Sequence, residues 1–228
     1  MIVARGVEKT FGVRRVLAGL DLEVRPYGVT LLVGANGAGK TTLLRIITGL
    51  CVPDAGSVRV GDHDIVRDRL AALGALAFLP QAPRFHPRLS ARQVARYYGT
   101  LRGRSSAEVD AELTQWGLSD HLSATTAQLS GGLRQRLAIA IFALARAPVL
   151  VLDEPGLSLD PEWRSRLQTH LATEAQRGAT VLVATHLLGE WEGKGDACVM
   201  LEGGRVRGAL PPNRLRESFP SRSQLAES

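Results

Sequence analysis

Residues 29–42 read Val29-Thr30-Leu31-Leu32-Val33-Gly34-Ala35-Asn36-Gly37-Ala38-Gly39-Lys40-Thr41-Thr42. An apolar run enters a glycine-rich loop, and the loop opens into Leu43-Leu44-Arg45-Ile46-Ile47, so the order is strand, loop, helix. Residues 34–41 match G-x-x-x-x-G-K-[ST] in the context that this pattern requires. Small residues let backbone N–H groups close around a polyphosphate, and the helix that follows adds the positive end of its dipole. Lys40 is placed to reach the β- and γ-phosphates, and Thr41 offers a hydroxyl to Mg²⁺. The chain has only three lysines, Lys9, Lys40 and Lys194, which argues against a chance lysine at this point.

Downstream, Val149-Leu150-Val151-Leu152 runs into Asp153-Glu154-Pro155. A buried strand delivers its C-terminal end to the ligand edge of an open α/β sheet. Asp153 then stands where Mg²⁺ is held, and Glu154 is one residue on, able to orient or deprotonate a water. Alone, a strand ending in two carboxylates says little; after the glycine-rich loop it says much. Leu129-Ser130-Gly131-Gly132 precedes an apolar helix and makes a second anion nest from a hydroxyl and free backbone N–H groups. In isolation an ordinary capped helix explains this stretch as well.

The 228 residues suit one large α/β domain or a core with a small appended subdomain. Apolar residues make up 45% and aromatics 5%, so a sizeable core of Leu, Val, Ala and Ile is expected. The net charge is +6, carried almost wholly by arginine. Nucleic acid and an anionic membrane face are the functional readings of such charge. The arginines are scattered, with no dense basic block and no interleaved aromatics, which favours a general arginine bias of the surface. Cys51 and Cys198 stand in no metal-ligand spacing and read as reduced structural thiols. No apolar segment follows a basic start, so no signal peptide is expected. The longest apolar run, 137–152, is broken by Arg146 and Pro148 and is too short to span a bilayer.

Residues 2–7 and 17–24 alternate like half-buried strands, with Phe11-Gly12 in the turn between them. Residues 29–33 read as a strand covered on both faces, 41–50 as a helix, 57–60 with 63–66 as a hairpin around Gly61-Asp62, and 75–79 as a buried strand stopped by Pro80. The block 82–128 has no strand signal; helices are expected from Ser90 to about Arg102 and over 107–116. Then come helix 133–145, strand 149–152, helix 161–175, strand 180–184, and strands near 197–201 and 206–210. The tail past Pro211-Pro212 reads as a short helix and a frayed end. The expected fold class is α/β: a P-loop NTPase core of parallel strands and helices, a small N-terminal antiparallel β subdomain, and an inserted α-helical subdomain. The expected division is 1–81 and 129–210 for the core with its β subdomain, 82–128 for the helical subdomain and 211–228 for a tail.

These motifs together, in this order over positions 34–186, resemble the nucleotide-binding subunit of an ATP-binding-cassette (ABC) transporter. The resemblance implies ATP as ligand with Mg²⁺, bound by Gly34, Asn36, Gly37, Ala38, Gly39, Lys40, Thr41 and Thr42. It implies that Phe11 stacks on adenine, that Gln81 and Asp153 join Thr41 at Mg²⁺, and that Glu154, His186 and Gln81 serve the attack of water on the γ-phosphate. Ser130, Gly131, Gly132 and Asp160 would serve a nucleotide held by a second copy of the chain or a related subunit. An integral-membrane subunit would dock beside Gln81 and the helical block, with Phe85, Tyr97 and Tyr98 as candidate contacts, although the tyrosines read equally well as helix core. The chain would then be cytoplasmic, held at the inner membrane face by that partner, with no nucleic acid expected. The short helical block is closer to export-type subunits. A related ATPase acting in cofactor assembly without transport shares all these motifs. Two positions depart from the family pattern: Leu133 where Gln is usual, and Gly156 where Thr or Ser often follows the proline.

Overall fold

A computed structural model describes residues 1–210 of the chain, so the helix expected beyond Pro212 lies outside the described residues. The N-terminal part comprises β1 (Ile2–Phe11), β2 (Arg14–Val24), β3 (Gly28–Val33), α1 (Lys40–Ile47), β4 (Ala55–Val60), β5 (His63–Asp64), α2 (Arg69–Gly74) and β6 (Leu76–Leu79). A helical stretch follows, α3 (Ala91–Leu101) and α4 (Ser106–Gln115) with a 3₁₀ turn at Ser119–His121. The chain continues through α5 (Gly131–Leu144), β7 (Val149–Asp153), α6 (Pro161–Gln176), β8 (Thr180–Thr185), α7 (Leu188–Trp191), β9 (Ala197–Glu202) and β10 (Arg205–Leu210).

Two sheets form. Four antiparallel strands in the order β2-β1-β4-β5 make the smaller one, as the N-terminal alternation anticipates. The larger has the order β10-β9-β3-β8-β7-β6, parallel from β9 through β6, with β10 added antiparallel at one edge. The unbroken apolar runs of β3, β7 and β8 follow from this position, since both faces are covered. Leu31, Val33, Leu150, Leu152, Val181 and Val183 turn to one face, where α5 and α6 pack on them. Leu32, Val151, Leu182 and Ala184 turn to the other, against α1 and the small sheet. The sheet thus sits between two cores, and the C-terminal ends of β3, β8, β7 and β6 emerge side by side at one edge.

Several element ends differ from the sequence reading. β1 continues to Phe11, so Phe11 closes the strand instead of sitting in the turn. Its period of two is broken by register shifts against β2 around Gly6, whose φ is 57°, and that hid the second half of the strand. The return strand after Gly61 stops at Asp64, because the Asp64 carboxylate accepts the N–H groups of Val66 and Arg67 and turns the chain. α1 stops at Ile47 rather than running to residue 50. The short helices α2 and α7 had no sequence signal. Ser90 and Ser105 both cap their helices in reciprocal capping boxes with Gln93 and Glu108. Tyr97 and Tyr98 are exposed and are not helix core, whereas Phe85 packs partly against the core beneath α5. Many arginines pair with surface carboxylates, Arg15 with Glu8 and Arg96 with Asp110 among them, which accords with a dispersed charge. No helix among the described residues is long and apolar enough to cross a membrane.

Leu182 is fully buried in the strand that pairs with both β3 and β7. Leu182→Ala should destabilise the protein by about 2–5 kcal/mol, the cost of a large-to-small change in a packed core. Urea denaturation measures this; a loss under ~1 kcal/mol would mean that the central strand is not packed on that face.

Candidate functional site

The glycine-rich loop is drawn tight by its glycines. A Cβ on Gly34 would collide with the Leu201 carbonyl oxygen. Gly39 has φ 108° and precedes α1 as its cap, with Leu17 and the Val16 carbonyl close on the side where a Cβ would go. No side chain caps α1. The first-turn amides of a helix have no partner within it, so they are left to an anion. Lys40, the first residue of α1, folds over the loop: its Nζ donates to Gly34 O at 2.7 Å and to Ala35 O at 3.3 Å. It also stands 3.8 Å from Glu154 Oε1, and both side chains are only 6% exposed. Burial lowers the Lys40 pKa, with the Glu154 and Asp153 charges opposing that.

β7 ends in Asp153, buried beneath the loop, with its Oδ1 making no hydrogen bond. Burial pushes its carboxyl above the usual range, while the Thr41 hydroxyl and the Lys40 charge pull it back. An acceptor oxygen that is buried, without a partner and beside a hydroxyl is a fitting ligand for a hard cation. Among the described residues no cluster of three or more His, Cys, Asp or Glu could hold a metal by itself.

Glu154 has φ 47°, a conformation rare for a side-chain-bearing residue. Its N–H donates to Ala184 O at 2.9 Å, which anchors the turn to β8. The turn aims the carboxylate at His186, just past the end of β8: Oε1 lies 2.8 Å from His186 Nδ1, and Oε2 accepts the His186 N–H at 3.3 Å. The carboxylate thus sets the ring orientation from Nδ1 and leaves Nε2 on the far side. A cleft of about 310 Å³ opens over these groups. Its walls are Asn36, Gly37, Gly39, Lys40, Thr41 and Thr42 from the loop and α1, with Gln81, Glu154 and His186 from three other strand ends. Arg14 and Val16 of β2 complete it.

Other residues singled out in the sequence lie elsewhere. Phe11 is exposed at the end of β1 and is not part of the cleft lining, with the Lys9 ammonium 5.4 Å from its ring centre. Ser130 is exposed and caps α5 by accepting the Leu133 N–H at 3.2 Å, so its hydroxyl proton stays free to donate. Neither Ser130, Gly131 nor Gly132 joins the cleft of its own chain. Asp160 is likewise exposed and caps α6 by accepting the Trp163 N–H at 3.0 Å. Leu133 packs against the core below α5.

Sequence reading missed three participants. Arg14 and Val16 carry no motif, and only strand pairing brings them to the loop. Gln135 is buried and donates to Pro155 O at 3.1 Å, tying α5 to the segment after Glu154. Its signal was available: an uncharged polar side chain in an apolar helix.

Comparison with known proteins points the same way. A family model described as "ABC transporter" matches residues 17–156. The daunorubicin resistance ATP-binding protein DrrA3 of Streptomyces coeruleorubidus is 36% identical over 90% of this chain, which spans 66% of that relative's length. The cytochrome c biogenesis ATP-binding export protein CcmA of Cupriavidus necator is 36% identical over 82% of this chain and 84% of its own. Among solved structures, an ATP-binding subunit of an ABC transporter superposes with a TM-score of 0.86 at 26% identity, covering 99% of this chain and 98% of that one. A dimeric cassette in a post-hydrolysis state bound to ADP and Pi has the same fold, with a TM-score of 0.84 at 23% identity over 93% of this chain and 99% of that one.

The Asp153 carboxyl holds its proton more tightly in the fold than in the open chain, so it weakens stability as pH rises through its raised pKa. Asp153→Asn should therefore melt at a higher temperature than the parent protein at neutral pH without nucleotide, and should lose the Mg²⁺ dependence of ATP binding. Calorimetric melts and titrations with and without Mg²⁺ check both, and a variant with unaltered Mg²⁺ dependence removes Asp153 from the cation site.

Proposed function

Because the chain belongs to the ABC transporter family of ATPases, we propose that it binds and hydrolyses ATP within a two-fold dimer and so drives substrate movement through a separate membrane subunit. The carrying observation is the buried Glu154 carboxylate paired with the partly exposed His186 ring in one cleft with Lys40. In this reading the loop amides and Lys40 bind the phosphates, giving up the contacts of Nζ to Gly34 and Ala35. Phe11 supports the adenine from the rim. Thr41, Asp153 and Gln81 hold Mg²⁺, which when bound supplies charge neutralisation between the phosphates. Glu154 orients the attacking water and takes its proton, with His186 holding the carboxylate and facing the γ-phosphate. General base catalysis of this kind is worth about a hundred- to ten-thousand-fold.

The composition of the cleft supports the dimer. Ser130, Gly131, Gly132 and Asp160 are an anion nest and its neighbour exposed away from their own Lys40, so they suit the nucleotide of a second copy or a related subunit. The dimeric cassette of the same fold supports this arrangement. Residues 1–81 and 129–210 form the nucleotide-binding core with its β subdomain, and 82–128 the helical subdomain that meets the membrane subunit, with exposed Tyr97 and Tyr98 as contacts. The chain works in the cytoplasm at the inner membrane face, and export is the direction that the name of the CcmA relative favours. The relative named for cytochrome c biogenesis is itself named an export protein, so cofactor assembly and transport are not opposed.

Glu154→Gln should retain ATP affinity, lose hydrolysis by at least about a hundredfold, and accumulate as a dimer with MgATP on size exclusion. Hydrolysis at the parent rate would remove Glu154 from the role of base. Ser130→Arg should leave ATP binding by the monomer intact while blocking dimer formation. Mixed with Lys40→Ala, it should recover one composite site, formed by the loop of the first variant and the nest of the second. If Ser130→Arg weakens monomer binding as much as Lys40→Ala does, the shared site is wrong.

A further inference from the structure

The Glu154–His186 contact joins two segments, 153–160 and 184–190, that are far apart in sequence. Near the contact they are held by the Glu154 N–H on Ala184 O, 2.9 Å apart. A second bridge lies farther out. Arg164, near the start of α6, places Nη1 2.8 Å from Glu190 Oε1 on α7, one helical turn beyond His186. The same guanidinium donates to Leu159 O at 2.9 Å, and Gln168 donates to Glu190 O at 2.7 Å. The paired side chains are 21% and 25% exposed, so both ends are largely covered. Arg164 Nε and Glu190 Oε2 are buried with no further partner, and each lies 3.4 Å from where a Cβ on Gly156 would stand. The ion pair is therefore packed over Gly156, two residues beyond Glu154, in direct contact with where a side chain there would begin.

We infer that Arg164 and Glu190 are positioning residues for hydrolysis: their ion pair clamps the His186 segment onto the Glu154–Asp160 segment and keeps carboxylate and imidazole in register. An exposed arginine–carboxylate pair contributes little. This one is three-quarters buried, its guanidinium is held on the Leu159 carbonyl, Gln168 fixes the Glu190 main chain, and it connects the two segments whose alignment the chemistry needs. Its loss should slow the chemical step and spare nucleotide binding, because neither residue touches the cleft.

The inference rests on the ATPase reading, and the test separates the two. Glu190→Gln, which keeps shape and loses charge, Arg164→Ala and the double variant are assayed for steady-state hydrolysis. Each single variant should lower kcat about tenfold with KM for ATP within about twofold, and the double should be no worse than either single. Gly156→Leu, which wedges a side chain into the pair, should give the same kcat loss with KM unchanged. Additive losses in the double variant, an unchanged kcat in Glu190→Gln, or a rise in KM alone would overturn the clamp. If the parent protein binds ATP and hydrolyses none, the functional reading fails instead. The clamp is then judged from the imidazole ¹⁵N shifts of His186, which should move in Glu190→Gln; unmoved shifts overturn it.

Discussion

Three ionisable groups, Lys40, Asp153 and Glu154, are taken almost completely out of water at one edge of the central sheet. Burying a charge is costly unless it is paired and hydrogen-bonded. Here the pairing is only partial. Lys40 borrows two loop carbonyls, Glu154 leans on His186, and one oxygen of Asp153 has no partner. Such a site does not stabilise the fold. It is an environment of the kind that a polyphosphate and a divalent cation would complete, and its cost must be met by packing elsewhere.

That packing is supplied by the two cores on either side of the sheet. Because β3, β8, β7 and β6 are parallel neighbours, one face-to-face clamp aligns four strand ends at once. The loop follows β3, His186 follows β8, Asp153 closes β7 with Glu154 next after it, and Gln81 comes just after β6. Residues separated by more than a hundred positions meet without any long reach of side chains. The strained φ of Glu154 is bearable for the same reason, as its N–H is fixed on β8 while β7 is buried on both faces.

What could be read from the sequence divides along physical lines. Local signals were legible. The glycines with Lys40 announced the loop, unbroken apolar runs announced the buried strands, and Ser before a helical pattern announced the caps of α3 and α4. What depended on pairing between distant strands was hidden. The second half of β1 lies beyond a bulge that breaks the period of two, and Arg14 reaches the loop only through the β1–β2 hairpin. The short helix α7 has four residues, too few for any periodicity, yet it carries Glu190 against Arg164. The sequence also showed Gly156 only as a missing side chain, whereas the fold shows what occupies the space.

The departure at Leu133 can be judged in the same terms. Ser130 binds the backbone N–H of Leu133, a group that any residue other than proline provides. The side chain itself packs against the core below α5 and takes no part in the cap. The exposed nest therefore survives the change, because its geometry is written in the backbone and the Ser130 hydroxyl. Gln135, two residues on, supplies the polar link from α5 to the Glu154 segment. The Ser130 end of α5 is in this way tied through one buried amide to the segment that follows Glu154, so the nest and the cleft of one chain are joined by a direct polar link.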